Sequence, residues 1–305
     1  MHIVVRVSGM VPVSYSTYGF PAAAYERTFD RISEAGFRHV EFACDRHGIK
    51  HKPRAQAAAI VRALQERDLS ATTVHAPAGT NVLGGVTEEW RTNAVAVLAD
   101  AVRLSGDIGA SGLVIHGIPN PMFLPQDRDI KSHYSRMIKA MRKSVTELVP
   151  VAKQAGVRLL LENLPYNRDL RVTGQDPDYP LMHVEDLREF IDPFPPDQVG
   201  LIVDVGHSWT NGRDPAAEIL AGGDRLWGTH LQDVDRDDPQ DDHWAPLQGG
   251  LNWSSILSAL EQVHYAGTYT FEIMRPRHGE TPEDLVRLTI EAARSWGLTS
   301  PGTDD

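Results

Sequence analysis

Short apolar runs and longer amphipathic segments alternate from one end of the chain to the other. The runs are Ile3–Val7, His39–Ala43, Ala71–His75, Gly112–His116, Val157–Glu162, Gly200–Val205, Leu226–Leu231 and Thr268–Ile273. Each has the length of a strand. Most are apolar on both faces, the pattern of a parallel sheet covered from both sides. The segments between them read as helices, roughly Ala22–Glu34, Arg54–Arg67, Glu88–Ile108, Ser132–Gln154, Val184–Ile191, Pro215–Leu220 and Trp253–Val263, with a last one beginning near Pro282. Their ends carry the expected punctuation. Pro53 opens the second helix, where a missing N–H costs little. Thr87 offers a capping hydroxyl just before Glu88 and Glu89, whose charge suits a helix N-terminus. Gly36, Gly109 and Gly156 each close a helix.

Eight strand–helix units in strict alternation, joined by right-handed crossovers, predict closure into a single (β/α)8 TIM barrel. An open doubly wound sheet is the competing α/β arrangement. No Gly-x-Gly-x-x-Gly or Walker sequence follows an early strand to support it. One barrel domain is expected over residues 1–298, with a long loop at Leu164–Leu181 and a disordered C-terminal tail at 299–305.

Composition narrows the picture modestly. The 305 residues carry a formal net charge of −11, which disfavours nucleic-acid binding through bulk charge. No apolar run approaches the ~18 residues that span a bilayer. The opening Met1-His-Ile-Val-Val-Arg6 reads as a strand, not a signal peptide. The single cysteine, Cys44, excludes an internal disulfide and fits a reducing compartment, so a cytoplasmic location is expected.

The chemistry lies at the strand ends. Thr72-Thr-Val-His75, Leu113-Val-Ile-His116, Leu159-Leu-Leu-Glu162, Leu201-Ile-Val-Asp204, Gly228-Thr-His230 and Tyr269-Thr-Phe-Glu272 each finish on a carboxylate or an imidazole. A parallel barrel gathers such ends at one face, where barrel enzymes place their chemistry. A carboxylate after three apolar residues is costly to bury unless it finds a partner or a metal. Glu162, Asp204, His230 and Glu272 form a mixed oxygen and nitrogen donor set suited to Mn²⁺, Zn²⁺, Mg²⁺ or Co²⁺. Such an ion, chelated by a carbonyl and a neighbouring hydroxyl, would stabilise an enediolate as a Lewis acid. Glu162 and Glu272 are the candidates to move the proton. His75, His116, His207, His243 and Arg275 are the candidate substrate contacts. For the arginines after strands five and eight (Arg168, Arg171, Arg275 and Arg277), surface positions are an equal expectation. Trp209, Trp244 and Trp253 lie near the same face by chain position, with Trp253 expected in the core.

The motifs Val40-Glu-Phe42, His75-Ala-Pro77, Ile115-His116, Leu161-Glu-Asn163, Val203-Asp-Val-Gly-His207, Thr229-His-Leu-Gln-Asp233, Asp241-Asp-His243 and Phe271-Glu-Ile273 together resemble the xylose isomerase-like barrel superfamily. That group includes sugar isomerases and epimerases, inosose-converting enzymes and AP endonucleases of the endonuclease IV type. For its sugar epimerases, the resemblance implies one metal at Glu162, Asp204, His230 and Glu272. The two glutamates are then the acid–base pair, and the His207 position binds substrate. For its endonucleases it implies three zinc ions held by these four residues with His75, His116, His207, Asp241 and His243. The resulting expectation is a metal-dependent isomerase or epimerase of a sugar, sugar phosphate or inosose. A dehydratase or lyase on a similar polyol and a trinuclear-zinc AP endonuclease are the alternatives. A small carbohydrate or polyol is the expected partner; membrane and nucleic acid are not, and a homo-oligomer is left open.

Overall fold

The computed structural model describes residues 11–20, 24–49, 52–120, 123–124, 131–165 and 179–299. Eight parallel strands close a barrel in chain order: β1 Val13–Ser16, β2 His39–Ala43, β3 Ser70–His75, β4 Gly112–His116, β5 Arg158–Glu162, β6 Val199–Asp204, β7 Leu226–Leu231 and β8 Thr268–Phe271. The helices around it are α1 Tyr25–Glu34, α2 Ala57–Gln65, α3 Glu88–Asp107, α4 Lys131–Ala155, α5 Val184–Ile191, α6 Val205–Thr210, α7 Pro215–Gly222, α8 Trp253–Gln262 and α9 Pro282–Ser295. None of the described helices is long and apolar enough to cross a membrane.

Most elements sit within a few residues of the sequence expectation, and three points differ. The expected first strand, Ile3–Val7, lies outside the described residues; the strand that pairs with β2 and β8 is Val13–Ser16. A short helix, α6, follows β6 directly, in a stretch to which the sequence pattern assigns no helix. The start of the second helix is a 3-10 turn, Pro53–Gln56, leading into α2. Of the expected tail, 299–305, residues 300–305 also lie outside the described residues.

The sequence punctuation acts as its chemistry dictates. The Thr87 hydroxyl accepts the Trp90 N–H at 3.2 Å to cap α3. Thr281 and Asp284 form a reciprocal capping box at the start of α9. Gly156, with φ of +68°, takes the left-handed turn that ends α4.

The core is mainly the layer between strands and helices. Outward strand residues such as Leu113, Ile115, Leu159, Leu161, Leu201 and Val203 are fully buried against helix side chains such as Met141, Val145 and Ile191. Inside the barrel, a separate small cluster of Val114, Leu160 and Ile202, with Trp227 packed on it, fills the floor. That floor supports the site above it.

Candidate metal centre

Alternate residues of a strand share a face, so two steps beyond each floor residue comes another inward side chain. Val114 is followed by His116, Leu160 by Glu162, and Ile202 by Asp204. On β7, Gly228 is followed by His230. The ladder register sets His116 beside Glu162 and Asp204 beside His230. Glu272 sits one residue past β8, where its N–H donates to Leu231 O at 3.3 Å. The apolar floor and the polar layer above it thus follow from one alternation.

Glu162, Asp204, His230 and Glu272 converge, each offering a ligand atom within 4.8 Å of the others, and all four are buried. His230 Nδ1 lies 3.0 Å from Glu162 Oε1 and 3.3 Å from Glu272 Oε2. Asp204 is fixed twice. Its Oδ1 accepts the His207 N–H at 2.7 Å, capping α6, and the Gln232 amide donates to both its oxygens at 3.0 Å. Glu162 Oε2 is buried and accepts no hydrogen bond. An ionised oxygen left without a donor in the interior is costly, and a cation would satisfy it. The donor set and this orphaned oxygen fit a divalent ion held by the four residues.

Burial by itself would raise the Glu162 pKa. The nearby His230, His116 and His75 imidazoles, His230 also within hydrogen-bond distance of Oε1, overturn that and hold it well below the ordinary carboxylate value. For Glu272 burial prevails, and its pKa rises although His230 and His243 oppose it. Burial would lower the His230 pKa, but the Glu272, Glu41 and Glu162 carboxylates outweigh it and carry it well above the usual imidazole value.

The other histidines ring this group. His75 Nε2 and His116 Nε2 approach Glu162 Oε2 at 3.6 and 3.4 Å. His207 donates from Nδ1 to the Asn163 carbonyl at 2.8 Å, and His243 from Nδ1 to the Glu272 carbonyl at 2.9 Å. Asp241 Oδ1 bridges the remaining nitrogens, 3.1 Å from His207 Nε2 and 2.9 Å from His243 Nε2. Burial opposes protonation of His207 and His243, but nearby carboxylates offset it, pushing them up to about 10 and about 9. Two further groups, His75 with His116 and Glu162, and Asp204 with His207 and His243, also cluster at metal-ligand spacing.

A cavity of about 230 Å³ opens onto these residues. Glu162, Glu272, His75, His116, His207, Asp241 and His243 line one part of it; Val82, Ile118, Leu164, Met182 and Met274 line another. Its aromatic rings are Tyr18, Phe123 and Tyr179. The three tryptophans singled out from sequence do not line it. Trp253 is buried, donating from Nε1 to Asp233 Oδ2 at 2.9 Å and stacking on Trp296. Trp244 lies under the Arg277 guanidinium, and Trp209 donates to the Arg236 carbonyl. Arg275 is exposed and is not among the cavity-lining residues. Arg168 and Arg171 lie outside the described residues.

Sequence reasoning gave no role to three residues of the site. Gln232 orients Asp204, Tyr18 contributes a ring packed on His75, and Glu41 meets His230 from β2. Glu41 carried a usable signal, since a carboxylate inside an otherwise apolar strand must find a buried partner.

The family model described as the xylose isomerase-like TIM barrel matches residues 29–296. A protein of Methanocaldococcus jannaschii is 22% identical over 265 residues, covering 87% of this chain and 84% of its own length. The inosose isomerase of Bacillus subtilis is 25% identical over 154 residues, 49% of either chain. Among solved structures, a D-tagatose 3-epimerase-like protein superposes with a TM-score of 0.75 at 19% identity, covering 94% of this chain and 97% of its own. The IOLI protein, crystallised with a zinc atom, superposes at 0.74 with 15% identity, covering 94% and 98%. At these identities the structural likeness speaks for the fold. With the family model spanning nearly the whole barrel, the chain belongs to the xylose isomerase-like TIM barrel family.

Proposed function

We propose that this protein is a divalent-metal-dependent isomerase or epimerase that moves a proton at the carbon next to a carbonyl of a sugar, sugar phosphate or inosose. The observation that carries this reading is the convergence of Glu162, Asp204, His230 and Glu272, with both glutamates also lining the cavity. A divalent ion held by these four supplies Lewis-acid stabilisation of the charge that develops on the substrate oxygen. One glutamate takes the proton from the carbon, and the electron pair moves onto the carbonyl oxygen. The other glutamate returns a proton to the opposite face of the same carbon for epimerisation; for isomerisation the proton goes to the neighbouring carbon while the hydroxyl proton passes to the former carbonyl oxygen. His75, His116, His207 and His243 surround that space and supply hydrogen bonds to substrate hydroxyls. The likeness to the D-tagatose 3-epimerase-like fold and the partial match to an inosose isomerase support this substrate class.

The two additional histidine–carboxylate groups favour a second reading, a multi-zinc AP endonuclease. Against it stands the charge balance. Phosphate contacts dominate DNA affinity, and no lysine or arginine is among the described residues lining the cavity. One assay separates the two. Metal-loaded protein is incubated in D₂O with a panel of ketoses, aldoses and inososes, and in parallel with a duplex containing an abasic site. The proposal expects conversion of a panel member and no strand cleavage. Efficient cleavage, lost on His75→Ala or His116→Ala, with no conversion in the panel, would establish the endonuclease.

A further inference from the structure

His230 is held between two groups of carboxylates that reach it from different parts of the barrel. Nδ1 faces Glu162 Oε1 at 3.0 Å and Glu272 Oε2 at 3.3 Å. Nε2 faces Glu41, 3.0 Å from Oε1 and 3.2 Å from Oε2. Glu41 comes from β2, 189 residues away in sequence. Both side chains are 0% exposed. Glu41 is itself fixed, because the Thr73 hydroxyl donates to its Oε2 at 2.8 Å. Among the described residues, its hydrogen-bond partners are therefore one imidazole and one hydroxyl, and it does not line the cavity. Its carboxylate is buried where substrate does not reach.

We propose that Glu41 is the positioning residue of the metal centre: it accepts the Nε2–H of His230, so that Nδ1 is the ligand nitrogen presented with Glu162, Asp204 and Glu272. An imidazole that donates one N–H to a carboxylate has its tautomer and ring orientation set by that bond, and its other nitrogen becomes a stronger donor to a cation. The geometry leaves one orientation for this. Turning the ring over would set Cδ2 toward the ligand group and Cε1 toward the Glu41 carboxylate, losing both contacts. Thr73 keeps Glu41 from following the ring. This inference rests on the metal-centre reading above and adds a role for a residue outside the four ligands.

The test uses full-length protein stripped of metal and titrated with Zn²⁺, a diamagnetic probe. Nitrogen-15 histidine spectra of the Zn²⁺-loaded protein report which ring nitrogen is protonated. The expected result is a His230 ring with zinc on Nδ1 and a slowly exchanging Nε2–H, whose proton resonance moves in Glu41→Gln. Glu41→Leu, which removes the acceptor, should weaken Zn²⁺ binding by about 10–100-fold, the scale for losing such an outer partner. Glu41→Gln retains an acceptor oxygen and should recover most of that affinity. Coordination through Nε2 in the unaltered protein would overturn the proposal, as would unchanged Zn²⁺ affinity in a folded Glu41→Leu. If Glu41→Leu does not fold, the spectra of the unaltered protein and Glu41→Gln still decide. Failure of the unaltered protein to bind Zn²⁺ at all would instead remove the metal centre itself, a distinguishable result.

Discussion

At the residue scale, Glu162 and Glu272 are bound into the site differently. Imidazoles around Glu162 hold its pKa down, whereas burial raises that of Glu272. Both face the cavity, so exchanging either carboxylate for an amide removes proton transfer while preserving shape. Glu162→Gln and Glu272→Gln should each lower kcat by about 10² or more, the usual scale for losing general acid–base catalysis. Steady-state turnover on the substrate found in the panel is the check; near-normal rates in both variants would refute the pair. The strand-end carboxylates and imidazoles were legible in sequence because each closes an apolar run, where a charge has little reason to be otherwise. Glu41 and Gln232 were not assigned. Their partners, His230 and Asp204, become neighbours only when the barrel closes, and no local spacing announces that.

At the element scale, the barrel seam is the informative place. Gly19 follows the short β1 in a 3-10 turn, and a Cβ there would overlap the backbone carbonyl oxygen of Ile273 just past β8. That close approach brings Tyr18 to the cavity beside Glu272. Gly19→Ala should therefore cost about 1–3 kcal/mol by overpacking, read as a lower denaturant midpoint, and should also impair the site. Stability equal to the unaltered protein would contradict the tight seam. Thr281 is a milder case: losing its capping hydroxyl in Thr281→Ala should cost ~1 kcal/mol. The expected signature is a shift of the urea midpoint with an unchanged slope. The seam also explains the misplaced first strand. Val13-Ser-Tyr-Ser16 is only four residues long, follows Pro12 and alternates serine with larger residues, so Ile3–Val7 looks the stronger strand in isolation. Closure selects the segment that can pair with both β2 and β8. Likewise α6 is one and a half turns long, too short to announce itself by periodicity, and forms because Asp204 caps it.

At the scale of the whole molecule, one architecture accounts for both fold and site. Eight parallel strands close one barrel, and the ends of β3 to β8 bring carboxylates and imidazoles from distant parts of the sequence to one mouth. That much followed from the regular strand–helix alternation and the lack of a nucleotide-binding motif after an early strand, which together favoured closure over an open sheet. The substrate did not follow, because a ring of imidazoles and carboxylates is compatible with many hydroxylated ligands. Residues 166–178, part of the long loop expected from sequence after β5, lie outside the described residues. The acidic balance, −11 over 305 residues, makes appreciable affinity for duplex DNA unexpected, and any measured binding should fall steeply with salt. The account depends most on the four-residue metal centre. Its most direct test is elemental analysis of protein purified without chelator, beside an Asp204→Ala, Glu272→Ala double variant shown to be folded. Because the remaining ligands were arranged around the ion, the account predicts bound divalent metal in the unaltered protein and its loss in the variant; unchanged metal content would contradict it.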